Sequence, residues 1–507
     1  MFYITTSKPY ANAEFHLGHA MDMIYADCLK RFFSRLPDNS ITVWDCGTDE
    51  HGLKIQETAE KAGIETQNFV DIKHELYQDL ITKLELMPDI VDRSTAPHHK
   101  WFVNLVWQKL ESKNLIYKKD YQGLYCQGCE DFYAPSQLTE DGKCPIHPHL
   151  EIQEVHENNY FFKLSAFKDS LNVFLDNTFV PDKKIVNEMK NIVAELKDIS
   201  ISRPKDRLQW GINVDSDDTQ VMYVWFEALL TYLSSIPDIG LYEKFLESKD
   251  IIEQKNIVAA VWKYLSEKLP VDLQIIGVDN SKFHLIIWPA LLTALDLPLP
   301  QKSLIHGMIT DSEGRKFAKS LGNGILLADF VEQFGVEGVK FFVLHDCNSV
   351  GDTPYSLERF VDSYNANLAN NLGNLIMRVT TLVEKHLGGM IDEDAVDSEI
   401  KFEAAPIYTH LAELRPELAF RVLFENLTVL NQYLERTKPW SLAKDMETHR
   451  NEVTKILSTC VVNMNKINEV LSIFLPSTSD RIYQALNGNL IVKAPVLFQK
   501  IELEKVE

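Results

Sequence analysis

The strongest constraint on the fold is a unit that recurs along the chain: a short apolar run rich in β-formers, a polar turn, then helical periodicity. It opens the protein, where residues 2–5 (FYIT) are followed by a loop with Pro9, Asn12 and Ala13, and apolar residues then recur at 17, 20, 21, 24, 28 and 32. It returns at 40–52, SITVWDCGTDEHG, where a β-branched run ends in Asp45, Thr48, Asp49, Glu50 and His51 ahead of the helical LKIQETAEKAG. It appears again at 273–295, LQIIGVDNSKFHLIIWPALLTAL, with a helix beginning near His284, and a further strand, SLIHGMIT, follows at 303–310. Such alternation predicts an α/β protein with a parallel sheet covered on both faces, in which ligands sit beyond the carboxyl ends of the strands. The polar turns fall at those ends.

Each turn carries its own chemistry. In HLGH, His16 and His19 stand where a strand hands over to a helix N-terminus, which presents unpaired N–H groups and the positive end of the helix dipole to an anion such as phosphate. Gly18 lets the backbone approach that ligand closely. In TDEHG, Asp49 suits a ligand's ammonium group if it faces the first loop; the same residues also suit a solvated turn that caps the next helix. Trp225, Ala228, Leu229 and Tyr232, in TQVMYVWFEALLTYLSS, share one helical face, which fits plain core or a pocket for an apolar ligand. In DSEGRKFAKSLGN, Arg315, Lys316 and Lys319 stand among glycines, so this loop is either a charged hairpin or a mobile segment whose lysines swing onto a polyphosphate.

Composition changes from Gly123, where helical periodicity fades and Cys126-x2-Cys129-x14-Cys144-x2-His147 appears. Two close pairs on separate turns close a tetrahedral zinc site with no open position, hence structural; His149 competes with His147 as the fourth ligand. The seven cysteines, an odd number spread over 507 residues, are not a disulfide framework. A formal net charge of -22 argues against indiscriminate binding to nucleic acid or anionic membranes, so a polyanion partner needs locally basic patches. With no apolar run of about eighteen residues and no signal segment, the expectation is a soluble, cytoplasmic protein of about three domains. Residues 66–113 read as helical with a break at Met87-Pro88-Asp89, residues 199–211 as a loop, and from Leu357 long helical patterns indicate an α-helical bundle.

Taken in order, HLGH, TDEHG, the paired cysteines, YVWFEAL, FH…WPA, KFAKS and a helical tail with TKPW resemble the methionyl-tRNA synthetase family, over nearly the whole chain. HLGH and KFAKS are similar to signatures shared by all class I aminoacyl-tRNA synthetases; PYANAEFHLGHA, GTDEHG and YVWFEAL point to the methionine branch. The resemblance implies a Rossmann-type, doubly wound catalytic domain in two halves, 1–114 and 201–300. It also implies a connective insert with a zinc knuckle at 115–200, a lysine-loop linker at 301–356 and an α-helical anticodon-binding domain at 357–507. It implies ATP-dependent activation of L-methionine and transfer to tRNA(Met), with one structural Zn²⁺ and with Mg²⁺ accompanying ATP. His16 and His19 then bond phosphate oxygens, Lys316 and Lys319 stabilise the departing pyrophosphate, and Gly18 and Ser320 complete the ATP site. Asp49 takes the methionine ammonium, while Tyr10, Trp225, Ala228, Leu229, Tyr232 and His284 wall the thioether, with Arg203 buttressing Asp49. Asn370, Asn374, Arg378 and Trp440 resemble residues that read the anticodon.

The chain departs from the family in two places. KFAKS replaces KMSKS but keeps both lysines and Ser320. Lys8 stands where the family has an apolar residue beside the amino-acid pocket; turned inward it bears on specificity, and turned outward its stem snorkels to solvent. Ending after the helical tail, without the appended domain through which some members dimerise, the chain is expected to be a monomer. The alternatives are a ligase for another apolar amino acid, disfavoured by the lack of room for a large editing insertion, and a catalytically silent tRNA-binding relative.

Overall fold

The computed structural model describes residues 1–12, 14–38, 41–126, 131–133, 135, 138–145, 150–236, 239–311, 313–315 and 326–503. The chain divides into two compact units, the first made of Met1–Glu14, Val43–Thr82 and Pro88–Ser303, the second of Phe15–Thr42, Lys83–Met87 and Leu304–Glu507.

Most of the predicted parallel sheet belongs to the first unit. Its strands are β1 (Phe2–Thr6), β2 (Thr42–Thr48), β3 (Ile90–Arg93), β4 (Leu273–Gly277) and β5 (Lys302–His306), in the order β5-β4-β1-β2-β3. Read from the other edge this is 3-2-1-4-5, the doubly wound order, which reverses between β1 and β4. β1 runs parallel to β4 with Ile4 opposite Leu273, and β2 runs parallel to β3 with Gly47 opposite Asp92. Every residue of β1 and β4 is buried, which is why these runs read as continuously apolar rather than alternating. Beyond the strand ends the loops pair once more: the Asp49 amide donates to the Pro9 carbonyl at 3.0 Å and the Ala11 amide to the Asp49 carbonyl at 2.9 Å. That bridge sets Tyr10 beside Asp49.

β3 lies inside the stretch that reads as helical from sequence. Helices Thr66–Lys83 and Pro97–Ser112 flank it, and its four residues are too few to show a period of their own. The residues around the paired cysteines form a four-stranded antiparallel sheet with Ile116–Cys126 and Gln153–Phe162 at its centre. Its last strand, Ile199–Ser200, and the neighbouring Ser202–Pro204, which pairs with Asp217–Met222, occupy the segment read as an Arg- and Pro-rich loop. Here backbone pairing overrides a composition that looks like a loop.

The second unit is helical, as the tail's periodicity predicts. It holds Leu17–Phe33, Leu327–Phe341, Leu357–Tyr364, Asn374–Leu387, Pro416–Thr437, Met446–Leu471 and Pro476–Leu486. Edge-to-face rings fill its core: Phe330 with Phe334 and Phe334 with Phe360 at 4.7 and 4.8 Å, and Phe420 with Phe424 at 5.0 Å. The last residues are tied to this bundle, since Asn365 bonds both backbone groups of Ile501 and the Thr380 hydroxyl accepts from the Ala494 amide.

Candidate active site

In the first unit, the expected pocket wall is carried by three consecutive short helical pieces, Val224–Glu227, Ala228–Leu230 and Thr231–Ser234. Tyr232 and His284 are 3% and 4% exposed, with the Tyr232 hydroxyl 2.9 Å from His284 Nε2. His284 Nδ1 faces the Asn280 carbonyl at 3.0 Å, an acceptor, so Nδ1 carries the proton and Nε2 accepts from Tyr232. With its hydroxyl committed there, the tyrosine offers its ring as an apolar wall. Trp225 meets Phe283 edge on at 4.7 Å, Tyr232 meets Trp288 at 5.7 Å, Leu229 is buried and Ala228 is partly exposed.

The loop bearing Asp49 is tied to this wall by groups that the sequence reading missed. Glu227, fully buried, lies 3.0 Å from His51 Nδ1 through one oxygen and 2.9 Å from His99 Nε2 through the other. His99 Nδ1 in turn meets the Ser234 hydroxyl at 2.8 Å. Burial lowers the pKa of His51 to about 3, burial also lowers that of His99 against the pull of Glu227, and burial raises that of Glu227. The neighbouring Glu50 accepts from Thr48 at 2.6 Å, from Arg93 at 2.8 Å and from Thr95. Trp210 Nε1 donates to the Glu50 carbonyl at 2.6 Å. Two buried carboxylates thus hold the turn on either side of Asp49. A glutamate inside the apolar VWFEAL run is the signal that could have pointed to one of them, because buried acids are rare unless paired.

Lys8 is turned inward. Its ammonium lies 3.2 Å from Asp45 Oδ1, with side chains 3% and 0% exposed, and 5.8 Å from the centre of the Tyr232 ring. Arg203 stacks over Tyr223 at 3.9 Å and donates to Ser200 and the Ser202 carbonyl, each at 2.8 Å.

In the second unit, His16 is the N-cap of Leu17–Phe33 and His19 is in its first turn. Their rings stack at 3.9 Å with 27° between planes. His16 Nδ1 accepts the Gly18 amide and His19 Nδ1 accepts the His16 amide, each at 3.1 Å. Both Nδ1 atoms are acceptors, so each neutral ring carries its proton on Nε2. Burial, and then electrostatic repulsion from the neighbouring His16, lower the pKa of His19 to about 3. A Cβ on residue 18 would lie 2.9 Å from His16 Cε1, so Gly18 is needed first to let the His16 ring fold back. His16 pairs with Leu326, and the Leu327 amide donates to the Phe15 carbonyl at 3.2 Å. Lys316, Lys319 and Ser320 lie outside the described residues. Asp22, one turn further along the helix, meets His306 Nε2 at 2.5 Å.

Farther along this unit, the Arg378 guanidinium lies over the Trp440 ring at 4.8 Å and pairs with Glu435 at 2.8 Å. Asn374 begins the helix that carries Arg378, and Asn370 is exposed in the π-helical stretch Asn365–Gly373 that leads into it. In the first unit's insert, Cys126 and Cys144 are both wholly buried, while Cys129 and His147 lie outside the described residues.

Comparison with known proteins extends this picture. The family described as tRNA synthetases class I (M) matches residues 2–156 and 150–380. Methionine–tRNA ligase of Caldanaerobacter subterraneus subsp. tengcongensis is 32% identical over 99% of this chain and 79% of its own length. The enzyme of Nostoc sp. is 32% identical over 96% of this chain and 89% of its own. Mycobacterium tuberculosis methionyl-tRNA synthetase in complex with methionyl-adenylate superposes with a TM-score of 0.80 at 28% identity, covering 96% of this chain and 93% of that one. With such matches along almost its entire length, the chain belongs to the methionine branch of the class I tRNA synthetases.

Proposed function

We infer that the protein is a methionine–tRNA ligase, which activates L-methionine with ATP and passes the methionyl group to the 3′ end of tRNA(Met). The observation that carries this reading is similarity to such ligases over 96–99% of the chain rather than at one motif. In the first step a carboxylate oxygen of methionine bonds to the α-phosphorus of ATP, the bond to the bridging oxygen breaks, and pyrophosphate leaves. Asp49 receives the ammonium, and Tyr10, Trp225, Ala228, Leu229, Tyr232 and His284 enclose the thioether. His16 and His19 act as neutral Nε2–H donors to the phosphate oxygens at a helix N-terminus, with Gly18 between them. Lys316, Lys319 and Ser320 take the pyrophosphate, and Mg²⁺ arrives with ATP. The pairing of Leu326 with His16 supports this, because it ties the chain just after the lysine segment to the histidine turn. In the second step a ribose hydroxyl of the terminal adenosine attacks the activated carbonyl, and AMP leaves.

Asn370, Asn374, Arg378 and Trp440 are proposed to read the anticodon of tRNA(Met), a role suited to an arginine already stacked on a half-buried indole. The insert is proposed to hold one structural Zn²⁺ through Cys126, Cys129, Cys144 and His147. The donor set fits, since Cys126 and Cys144 are soft ligands withdrawn from solvent and a closed set of four leaves no place for substrate. The enzyme is proposed to act in the cytoplasm. Among the described residues no helix is long and apolar enough to cross a membrane.

Amino-acid-dependent exchange of pyrophosphate into ATP tests the reading. Methionine is expected to drive exchange far better than leucine, valine or isoleucine. Exchange driven best by leucine or valine, or tRNA binding without any adenylate formed, would overturn it.

A further inference from the structure

Lys8 and Asp45 form the most enclosed lysine–carboxylate pair among the described residues, with 3% and 0% of their side chains exposed. Burying two charges costs several kcal/mol before their attraction is counted, so such a pair is weak evidence of added stability. The contact is ionic and off the axis of an aligned hydrogen bond, which leaves the ammonium with no aligned acceptor. The carboxylate, by contrast, is heavily used. Asp45 Oδ2 accepts from the Tyr3 hydroxyl at 2.7 Å and from the Ser235 hydroxyl. Ser235 closes the Thr231–Ser234 turn, and the same Tyr3 oxygen lies 3.2 Å from the Tyr232 carbonyl. One carboxylate therefore fixes the backbone on which Tyr232 stands, while His284 fixes the far end of its side chain.

We propose that Lys8 and Asp45 are a positioning pair for the amino-acid pocket, in which Lys8 anchors the Asp45 carboxyl and Asp45, through Tyr3 and Ser235, sets where the Tyr232 wall stands. The proposal rests on the reading of Tyr232 as a wall of the methionine pocket. Burial raises the pKa of Asp45, and the Lys8 charge, then the Ser235 and Tyr3 bonds, pull against that rise. Without the lysine, burial favours a proton on Asp45, and a neutral carboxyl accepts more weakly from Ser235 and Tyr3, so the turn is free to shift. Because Lys8 also directly precedes Pro9 and Tyr10, the pair links the loop beside Asp49 to the aromatic wall.

The test is methionine-dependent pyrophosphate exchange by the purified full chain, with KM for methionine and for ATP measured separately below the melting range of every variant. Lys8→Met is expected to raise the methionine KM at least tenfold while the ATP KM stays within twofold. Lys8→Arg, which preserves the charge, should remain within about threefold for both. Ser235→Ala should raise the methionine KM severalfold, and Lys8→Met/Ser235→Ala should be no worse than Lys8→Met, because both act through one carboxylate. A merely structural pair would lower the melting temperature and leave that KM unmoved. A methionine KM within twofold of wild type in Lys8→Met, a parallel rise in the ATP KM, or effects that multiply in the double variant would overturn the proposal. Should Lys8→Met fail to fold, an unmoved methionine KM in Ser235→Ala overturns it instead. A wild-type protein that shows no exchange with methionine would defeat the ligase reading and this proposal together; exchange with unmoved variants defeats this proposal alone.

Discussion

Gly47 offers a sharp test of how the sheet positions Asp49. It sits in β2 opposite Asp92 of β3, two residues before Asp49. A Cβ built on it would lie 1.8 Å from the Asp92 carbonyl oxygen and 2.7 Å from the carbonyl carbon. A carbon and a carbonyl oxygen normally approach to about 3.3 Å, so Gly47→Ala requires about 1.5 Å of separation between two backbones. Neither can rotate away as a side chain would. The pairing of Asp45–Thr48 with Ile90–Arg93 is short, and opening it forfeits at least two ladder bonds at about 1 kcal/mol each. Overpacking adds about 1–3 kcal/mol. A loss of about 3–5 kcal/mol follows, or roughly 6–10 °C in melting temperature at about 2 °C per kcal/mol. The methionine KM should rise with it, since the displaced strand leads directly into Asp49. Gly63→Ala is the control: its φ is +69° with nothing within 4 Å, so it carries only the left-handed backbone penalty of about 1 kcal/mol. Thermal unfolding of the two variants, followed by circular dichroism, decides the matter. If Gly47→Ala melts no lower than Gly63→Ala, the close approach of these strands does not set the turn.

The other expectations can be stated together. Glu227→Gln replaces one of the two oxygens that His51 and His99 each use and should cost about 2–4 kcal/mol, together with a rise in methionine KM; an unchanged urea midpoint would contradict the network. His19 and His51 are held near 3 against an ordinary value near 6.5, so the unfolded chain takes up protons that the folded one refuses. Their contribution to stability is therefore intact above pH 6.5 and lost as pH falls toward 3, and a melting temperature higher at pH 5 than at pH 7.5 would refute it. Trp440→Ala should raise the KM for tRNA about tenfold or more, as expected for losing one base–aromatic stack, while leaving pyrophosphate exchange unchanged. Cys129→Ser should lower the zinc content of the purified protein, and an unchanged stoichiometry would reject the ligand set.

The alternation of strand, turn and helix is legible because buried strands leave runs dominated by apolar and β-branched residues, as in β1 and β4. β3 is not, because Ile90–Arg93 is four residues long with two charged members. The strands of the insert are obscured for a related reason: the charged run Lys118-Lys119-Asp120 interrupts Ile116–Cys126, and its pairing with Gln153–Phe162 spans a gap that no local pattern reveals. In the pocket, Tyr232 and His284 could be named from their motifs, but their mutual hydrogen bond and its direction depend on the Asn280 carbonyl. Asp45 was visible as one acid in a polar turn. That it belongs to the strand, is wholly buried and receives Lys8 is a tertiary fact, and it resolves the lysine's orientation inward. Gly18 was read as opening space for a ligand; its nearest constraint is the neighbouring imidazole.

The stacked histidines carry a consequence for what can replace them. Folding, rather than any arriving nucleotide, chooses which nitrogen of each ring bears hydrogen, because backbone amides already occupy the other one. The pair then behaves as two fixed dipoles whose orientation energy is settled in advance, which is the condition under which such groups assist a reaction without reorganising during it. It follows that these positions tolerate donors rather than bases. An asparagine amide, turned the same way, can imitate the imidazole in kind, whereas an aspartate of the same size inverts the sign of what the helix end offers.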